Sequence, residues 1–243
     1  MKNFKNNIDV LILVGGLGTR LKSVSNNVPK PLIKINNRPF LSILLEYVTS
    51  FNFNRIILCT GYKSSVFQKY AEQNKINYKI IISKESKPLG TAGAIKNAEK
   101  LIESKSFLVI NGDSFCKLDY EKFCMFFKKN DPIAQIAVSR STNAKNYASI
   151  KLDSNNNIIE YKEKQNICEN TEKFISTGIY QFSSEIMNFI DGDKFVSLEF
   201  DIIPKLIRSL PKRIYSYKTK GEFIDIGTPK NYEKSQDILN NYN

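Results

Sequence analysis

Leu13-Val-Gly-Gly-Leu-Gly-Thr-Arg-Leu21 ends an apolar run that begins at Asp9, and Pro29-Lys-Pro-Leu32 follows shortly after it. A short continuous apolar run that stops at glycines predicts a strand buried on both faces, leading into a loop whose backbone amides have little side-chain cover. At the carboxyl end of a parallel strand, such a loop suits phosphate groups. Two familiar phosphate loops fail on spacing. A dinucleotide fingerprint counted from Gly16 needs glycine or alanine at Leu21 and an acid at the end of the second strand, where Cys59 and Thr60 stand. A Walker loop counted from Gly15 needs Gly-Lys-Ser/Thr, and Arg20, Leu21 and Lys22 do not match. A plain tight turn leaves unexplained an arginine set just beyond three glycines.

Working outward, further apolar runs predict strands at Arg55 to Thr60, Tyr78 to Ser83 and Phe107 to Asn111. Between them, Pro39 to Ser50, Ser64 to Gln73 and Thr91 to Glu103 carry apolar residues at helical intervals, with Pro39 suited to a first helical turn. This alternation predicts an α/β fold of Rossmann-like type, with a mixed, mainly parallel central sheet and helices on both faces. After about Asp131 the pattern turns to shorter strands at Ile133 to Val138, Ala148 to Leu152, Ile158 to Tyr161 and Phe174 to Phe182. Helical stretches at Leu198 to Ser209 and Pro229 to Asn240 flank a short strand at Glu222 to Ile226. With no repeat or linker, the 243 residues read as one domain, 1–243, in two halves of different pattern, roughly 9–115 and 116–243.

The 36 Lys and Arg against 24 Asp and Glu give a net charge of +12, which calls for an anionic partner. The excess is densest early, where Lys2, Lys5, Arg20, Lys22, Lys30, Lys34 and Arg38 face only Asp9 and Glu46. It forms no basic block and accompanies no nucleic-acid reader motif, so phosphorylated metabolites are expected and nucleic acid is not. With no histidine and no CxxC spacing, the four cysteines, Cys59, Cys116, Cys124 and Cys168, do not assemble the usual zinc sets and read as reduced thiols. The polar start and the lack of a long apolar run predict a soluble, cytoplasmic protein with no membrane partner. Self-association is left open.

The loop and Pro29-Lys-Pro-Leu32 carry the signature of the sugar-phosphate nucleotidyltransferase family. The resemblance continues, in family order, through Pro88 to Ile95 (PLGTAGAI), Asn111 to Ser114 (NGDS), Glu163-Lys164, Ser176 to Tyr180 (STGIY) and Phe223 to Tyr232 (FIDIGTPKNY). The chain most resembles the short heptose 1-phosphate and mannose 1-phosphate guanylyltransferases. Val14 and Ser114 stand where the family more often has Ala or Cys and Thr, and neither change removes a charge.

The resemblance implies a reaction between a nucleoside triphosphate and a sugar 1-phosphate, with magnesium as cofactor and pyrophosphate as the released product. Catalysis then falls to Arg20, Lys30 and Asp113. Arginine's planar fork suits the departing phosphates. Prolines on both sides of Lys30 favour a rigid extended presentation over a helix. Asp113 and Asp225, each beside a strand end and a glycine, are the implied magnesium ligands, in line with that ion's taste for carboxylates, phosphates and water. The nucleotide is expected on Leu13, Gly15, Gly16, Gly18, Thr19, Arg20, Glu85, Gly90, Thr91, Asn111 and Gly112. The sugar phosphate is expected on Glu163, Lys164, Thr177 and Gly178. An inward Glu85, which as a carboxylate only accepts hydrogen bonds, suits guanine, because guanine alone presents a ring N–H beside an exocyclic amine. The competing readings are a cytidylyltransferase acting on another phosphorylated molecule, sugar or not, and a nucleotide-binding module without activity.

Overall fold

The computed structural model describes residues 6–16, 18, 21, 28–73, 78–142, 147–163 and 172–242. Thr19, Arg20, Lys164 and Cys168 lie outside the described residues.

In chain order the strands are β1 (Asn6–Leu13), β2 (Lys34–Ile35), β3 (Arg38–Pro39), β4 (Phe53–Thr60), β5 (Ile80–Lys84), β6 (Ser106–Asn111), β7 (Ser114–Cys116), β8 (Ala134–Ser141), β9 (Ser149–Leu152), β10 (Ile158–Lys162), β11 (Lys173–Ser183), β12 (Ile214–Lys218) and β13 (Phe223–Asp225). The α-helices are α1 (Phe40–Thr49), α2 (Ser64–Gln73), α3 (Gly90–Asn97), α4 (Tyr120–Asn130), α5 (Ile203–Ser209) and α6 (Pro229–Ile238). The central sheet runs β10-β9-β11-β6-β1-β4-β5, with β8 and then β12 branching from β11. β1, β4, β5 and β6 are parallel, and β11 joins β6 antiparallel.

β1 lies between two parallel neighbours inside the sheet, and because helices pack on both faces its apolar run needs no alternation. Val10 and Ile12 enter one core with α1 and Tyr120 and Phe123 of α4, while Leu11 enters another with Ala92 and Ile95 of α3 and Leu206 of α5. Helices therefore cover both faces of a mixed, mainly parallel sheet, as expected. Among the described residues, no helix is long and apolar enough to cross a membrane.

Asp9 is fully buried at the amino end of β1. Arg55 grips it with Nε on Oδ1 and Nη2 on Oδ2, both at 3.0 Å, and the amides of Glu103 and Ser104 donate to Oδ2 at 2.7 and 3.0 Å. Burial alone would raise this carboxyl's pKa, but the guanidinium and the two amides outweigh it and hold the group below its usual range. The same cluster corrects one predicted helix. The segment from Thr91 to Glu103 stops being α-helical at Asn97 and passes through a 3-10 turn, Glu99–Leu101. Leu101 and Glu103 then give their carbonyl and amide to Arg55 and Asp9.

Two other expectations change. Pro39 stands just before α1 rather than in its first turn. Leu198 to Ser209 divides into a π-helical segment, Leu198–Ile202, and α5, with Pro204 at the junction where a missing N–H costs least. Five of these elements come with no earlier expectation: β2, β3, β7, α4 and β12.

Candidate active site

The carboxyl ends of the parallel strands open into a cavity of about 720 Å³. Leu13, Gly15, Gly16 and Gly18 line it from the end of β1 and the loop beyond, Gly61 and Tyr62 from the end of β4, Glu85 from the end of β5, and Asn111 and Asp113 from the end of β6. Gly90 and Thr91, which begin α3, complete one side. Gly90 has φ +77°, and a Cβ there would sit 2.5 Å from the Val196 carbonyl oxygen, so a larger residue would displace the segment that meets α3. Gly112 is spent on the turn, its amide donating to Leu13 O at 3.0 Å.

A second, smaller cavity of about 180 Å³ adjoins the first, and the two share Asn111 and Asp113. Its walls carry Tyr147, Tyr161, Glu163, Ser176, Thr177, Gly178, Tyr180, Glu199 and Asp225. The local cause is an irregularity in β11. Between Ser176 and Tyr180 the pairing with β8 shifts register, and Gly178 takes φ +74°. A Cβ at Gly178 would lie 2.8 Å from Asn111 Nδ2, so this glycine lets β11 approach the seam between the cavities. Asn111 Oδ1 is buried and, among the described residues, has no hydrogen-bond partner. Thr177 is fully buried, and its hydroxyl donates to Ala137 O at 2.9 Å, turned into the sheet.

Lys30 is nine-tenths buried and forms an ion pair with Asp113. Its backbone departs from the extended presentation expected of it. Lys30–Leu32 is one 3-10 turn, closed by Leu32 N on Pro29 O at 2.8 Å and Ile33 N on Lys30 O at 3.2 Å. Prolines exclude a longer helix but suit a single turn, because their fixed φ fits it and the N–H missing from Pro31 is one the turn does not use.

The antiparallel pair β7 and β13 sets Ser114 opposite Asp225 and so brings Asp225 beside the end of β6. Asp225 Oδ1 accepts from Gly227 N at 2.7 Å and Oδ2 from Asn231 Nδ2 at 2.8 Å, which fixes the carboxylate and leaves lone pairs on both oxygens. Tyr147, which accepts from the same Asn231 nitrogen at 3.2 Å, has its hydroxyl pKa pushed up by burial and by the charge of Asp225.

Glu85 lies half-buried at the wall of the larger cavity, and Leu89 N donates to its Oε2 at 3.1 Å. Burial raises its pKa, opposed by that amide. Thr91 offers no spare proton, since its Oγ1 donates to Glu199 Oε2 at 2.6 Å. Cys59, Cys116 and Cys124 are free and buried, and burial raises each thiol's pKa.

Of the expected site residues that the structure describes, all but Gly112 line one cavity or the other. Reasoning from sequence missed Tyr62, Phe195, Tyr147, Tyr161 and Glu199, which lie outside the motif segments quoted above.

The model of the nucleotidyl transferase family matches residues 9–241. The chain is 33% identical to a D-glycero-alpha-D-manno-heptose 1-phosphate guanylyltransferase of Campylobacter jejuni over 93% of its own length and 97% of the relative's. It is 32% identical to the protein of the same name from Aneurinibacillus thermoaerophilus over 97% and 100% of the two lengths. Among solved structures it is similar to HddC from Yersinia pseudotuberculosis, with a TM-score of 0.83, 38% identity and coverage of 96% and 99% of the two chains. A second crystal structure of HddC holds GMP-PN.

Proposed function

The chain belongs to the nucleotidyl transferase family, and on that premise we propose that it condenses GTP with a sugar 1-phosphate of the heptose or mannose type, giving a GDP-sugar and pyrophosphate. The observation that carries this reading is the pair of cavities meeting at Asn111 and Asp113. The larger takes the triphosphate and the smaller the sugar, so the reacting phosphates meet at the shared seam. The division follows the chain, with residues 9–115 supplying most of the first cavity and residues 116–243 most of the second.

A phosphate oxygen of the sugar 1-phosphate attacks the α-phosphorus of GTP. A new P–O bond forms there as the bond from the α-phosphorus to the bridging oxygen breaks, and its electron pair leaves with pyrophosphate. The nucleophile has its second pKa near 6, like other phosphate monoesters, so it is already an anion and needs no base. A chain without histidine suits this chemistry. Its work is positioning and charge neutralisation. Lys30 supplies a buried cation at the seam. By family resemblance, Arg20 and Thr19 serve the triphosphate and Lys164 the phosphate of the sugar.

The donor set at the seam fits magnesium, because Asp113 and Asp225 offer only oxygens and both line the smaller cavity. When bound, that ion neutralises phosphate charge and orders the phosphate oxygens. Glu85 accepts the two adjacent N–H donors of guanine, and the backbone around Gly90 borders the same base. Glu163, with backbone at Thr177 and Gly178, faces the sugar hydroxyls. On this reading the chain is a biosynthetic enzyme, which we place in the cytoplasm. Mass spectrometry of an incubation with GTP, magnesium and heptose 1-phosphate tests the reading. A GDP-heptose supports it, and recovery of unchanged GTP across heptose and hexose 1-phosphates contradicts it.

A further inference from the structure

Thr91 and Glu199 stand 108 positions apart and connect the two cavities away from the seam at Asn111 and Asp113. Thr91 lines the larger cavity and Glu199 the smaller. Thr91 Oγ1 accepts from Leu198 N at 2.7 Å and donates to Glu199 Oε2 at 2.6 Å, and Ser197 Oγ donates to the same oxygen at 3.1 Å. The backbone that carries Glu199 is held as well. Val196 N donates to Leu89 O at 2.8 Å, and Val196 O accepts from Ala92 N at 3.0 Å and Gly93 N at 3.2 Å. Glu199 is therefore a carboxylate oriented through one oxygen. Among the described residues, no hydrogen bond falls on the other, Oε1.

The wall around it is chemically selective. Tyr180 is buried, and burial together with the charge of Glu199 raises its hydroxyl pKa, so it stays a neutral hydroxyl. Its oxygen accepts from Ser176 Oγ at 3.3 Å. A carboxylate only accepts hydrogen bonds, so the complement of Glu199 and Glu163 is a small ring bearing hydroxyl donors. An apolar group does not meet that demand, and the cavity of about 180 Å³ favours a single small ring.

We propose that Glu199 accepts a ring hydroxyl of the sugar phosphate and so sets the enzyme's choice of acceptor, with Thr91 tying that contact to the start of α3 in the nucleotide cavity. This rests on the sugar-phosphate reading given above. Glu199→Ala removes the acceptor, and Glu199→Gln keeps the shape and one accepting oxygen. The test takes whichever of heptose 1-phosphate and mannose 1-phosphate the wild type turns over faster, together with its single-deoxy analogues. In the wild type, one analogue shows a KM raised about 10-fold to 100-fold, the usual loss of a hydrogen bond to a charged group. Glu199→Ala raises the KM of the parent sugar phosphate by a similar factor and cancels the handicap of that one analogue, while KM for GTP changes less. Glu199→Gln falls between the two. Wild-type turnover with the same ranking of analogues in Glu199→Ala overturns this inference alone. A wild type that binds GTP and turns over no sugar 1-phosphate overturns the sugar-phosphate reading, and this inference falls with it.

Discussion

Lys30 and Asp113 lie 83 positions apart and form an ion pair at the seam where the two cavities meet. The pair joins the turn held by Pro29 and Pro31 to the end of β6, so one contact fixes both sides of the seam. Replacing Lys30 by Met keeps much of the side chain's length and removes its charge. Turnover is expected to fall about 100-fold to 1000-fold, the loss typical of one preorganised charge-stabilising group. Steady-state kinetics at saturating GTP check this. Wild-type turnover would take Lys30 out of the reaction.

Asp113→Asn and Asp225→Asn each remove an anionic oxygen from the proposed magnesium site. Activity is expected to need a higher magnesium concentration in each variant or to be lost, because a hard cation binds neutral amide oxygen more weakly than carboxylate. Magnesium titrations of initial rate measure the shift. Identical titration curves for wild type and both variants would contradict the assignment.

Arg20 and Lys164 are expected to act on different substrates. Arg20→Ala is expected to lower turnover about 100-fold to 1000-fold. Lys164→Ala should instead raise KM for the sugar phosphate more than KM for GTP. Equal effects on both substrates would move Lys164 away from the acceptor.

Asp9 governs acid stability at the end of the sheet away from the chemistry. The Arg55 guanidinium and two amides hold its folded pKa below the usual carboxylate range, so its stabilising contribution is present in full above the unfolded value and is lost as pH falls through the folded one. Asp9→Asn breaks a buried pair while Arg55 keeps its ion pair with Glu103, and should cost no more than about 3 kcal/mol at neutral pH. Denaturant melts from pH 7 downwards check both points. The variant should lose less stability on acidification than the wild type, and parallel curves would contradict the account.

The buried strands were legible because Val10 to Leu13, Ile56 to Cys59 and Phe107 to Ile110 are continuous apolar runs that only a doubly covered sheet accommodates. α4 was also legible in principle, with Asp119 capping Lys122 N and Tyr120, Phe123, Cys124 and Phe127 at helical spacing, but it falls between the two sequence patterns. β12 was masked by its own chemistry. Ser216 occupies a buried position and gives its hydroxyl to Asn156 O, so the strand lacks an apolar alternation. At the site, motif residues could be read because glycines and prolines restrict the backbone around them. Glu199 could not, since its meaning comes from Thr91, which only the folded chain brings within 2.6 Å.

Nucleobase choice joins the fold, the cavity and the chemistry, and Glu85 is the residue proposed to set it. The measurement is pyrophosphate release from GTP, ATP, CTP, UTP and dTTP, each offered separately with magnesium and a mixture of heptose and hexose 1-phosphates, for the wild type and for Glu85→Ala. Wild type is expected to prefer GTP by several orders of magnitude, because a site built for paired hydrogen bonds rejects bases that leave its polar groups unpaired. Glu85→Ala is expected to lose most of that preference. Wild-type preference for CTP, or release from no triphosphate, would contradict the central claim. An unchanged GTP preference in Glu85→Ala would contradict the assignment of the base to Glu85.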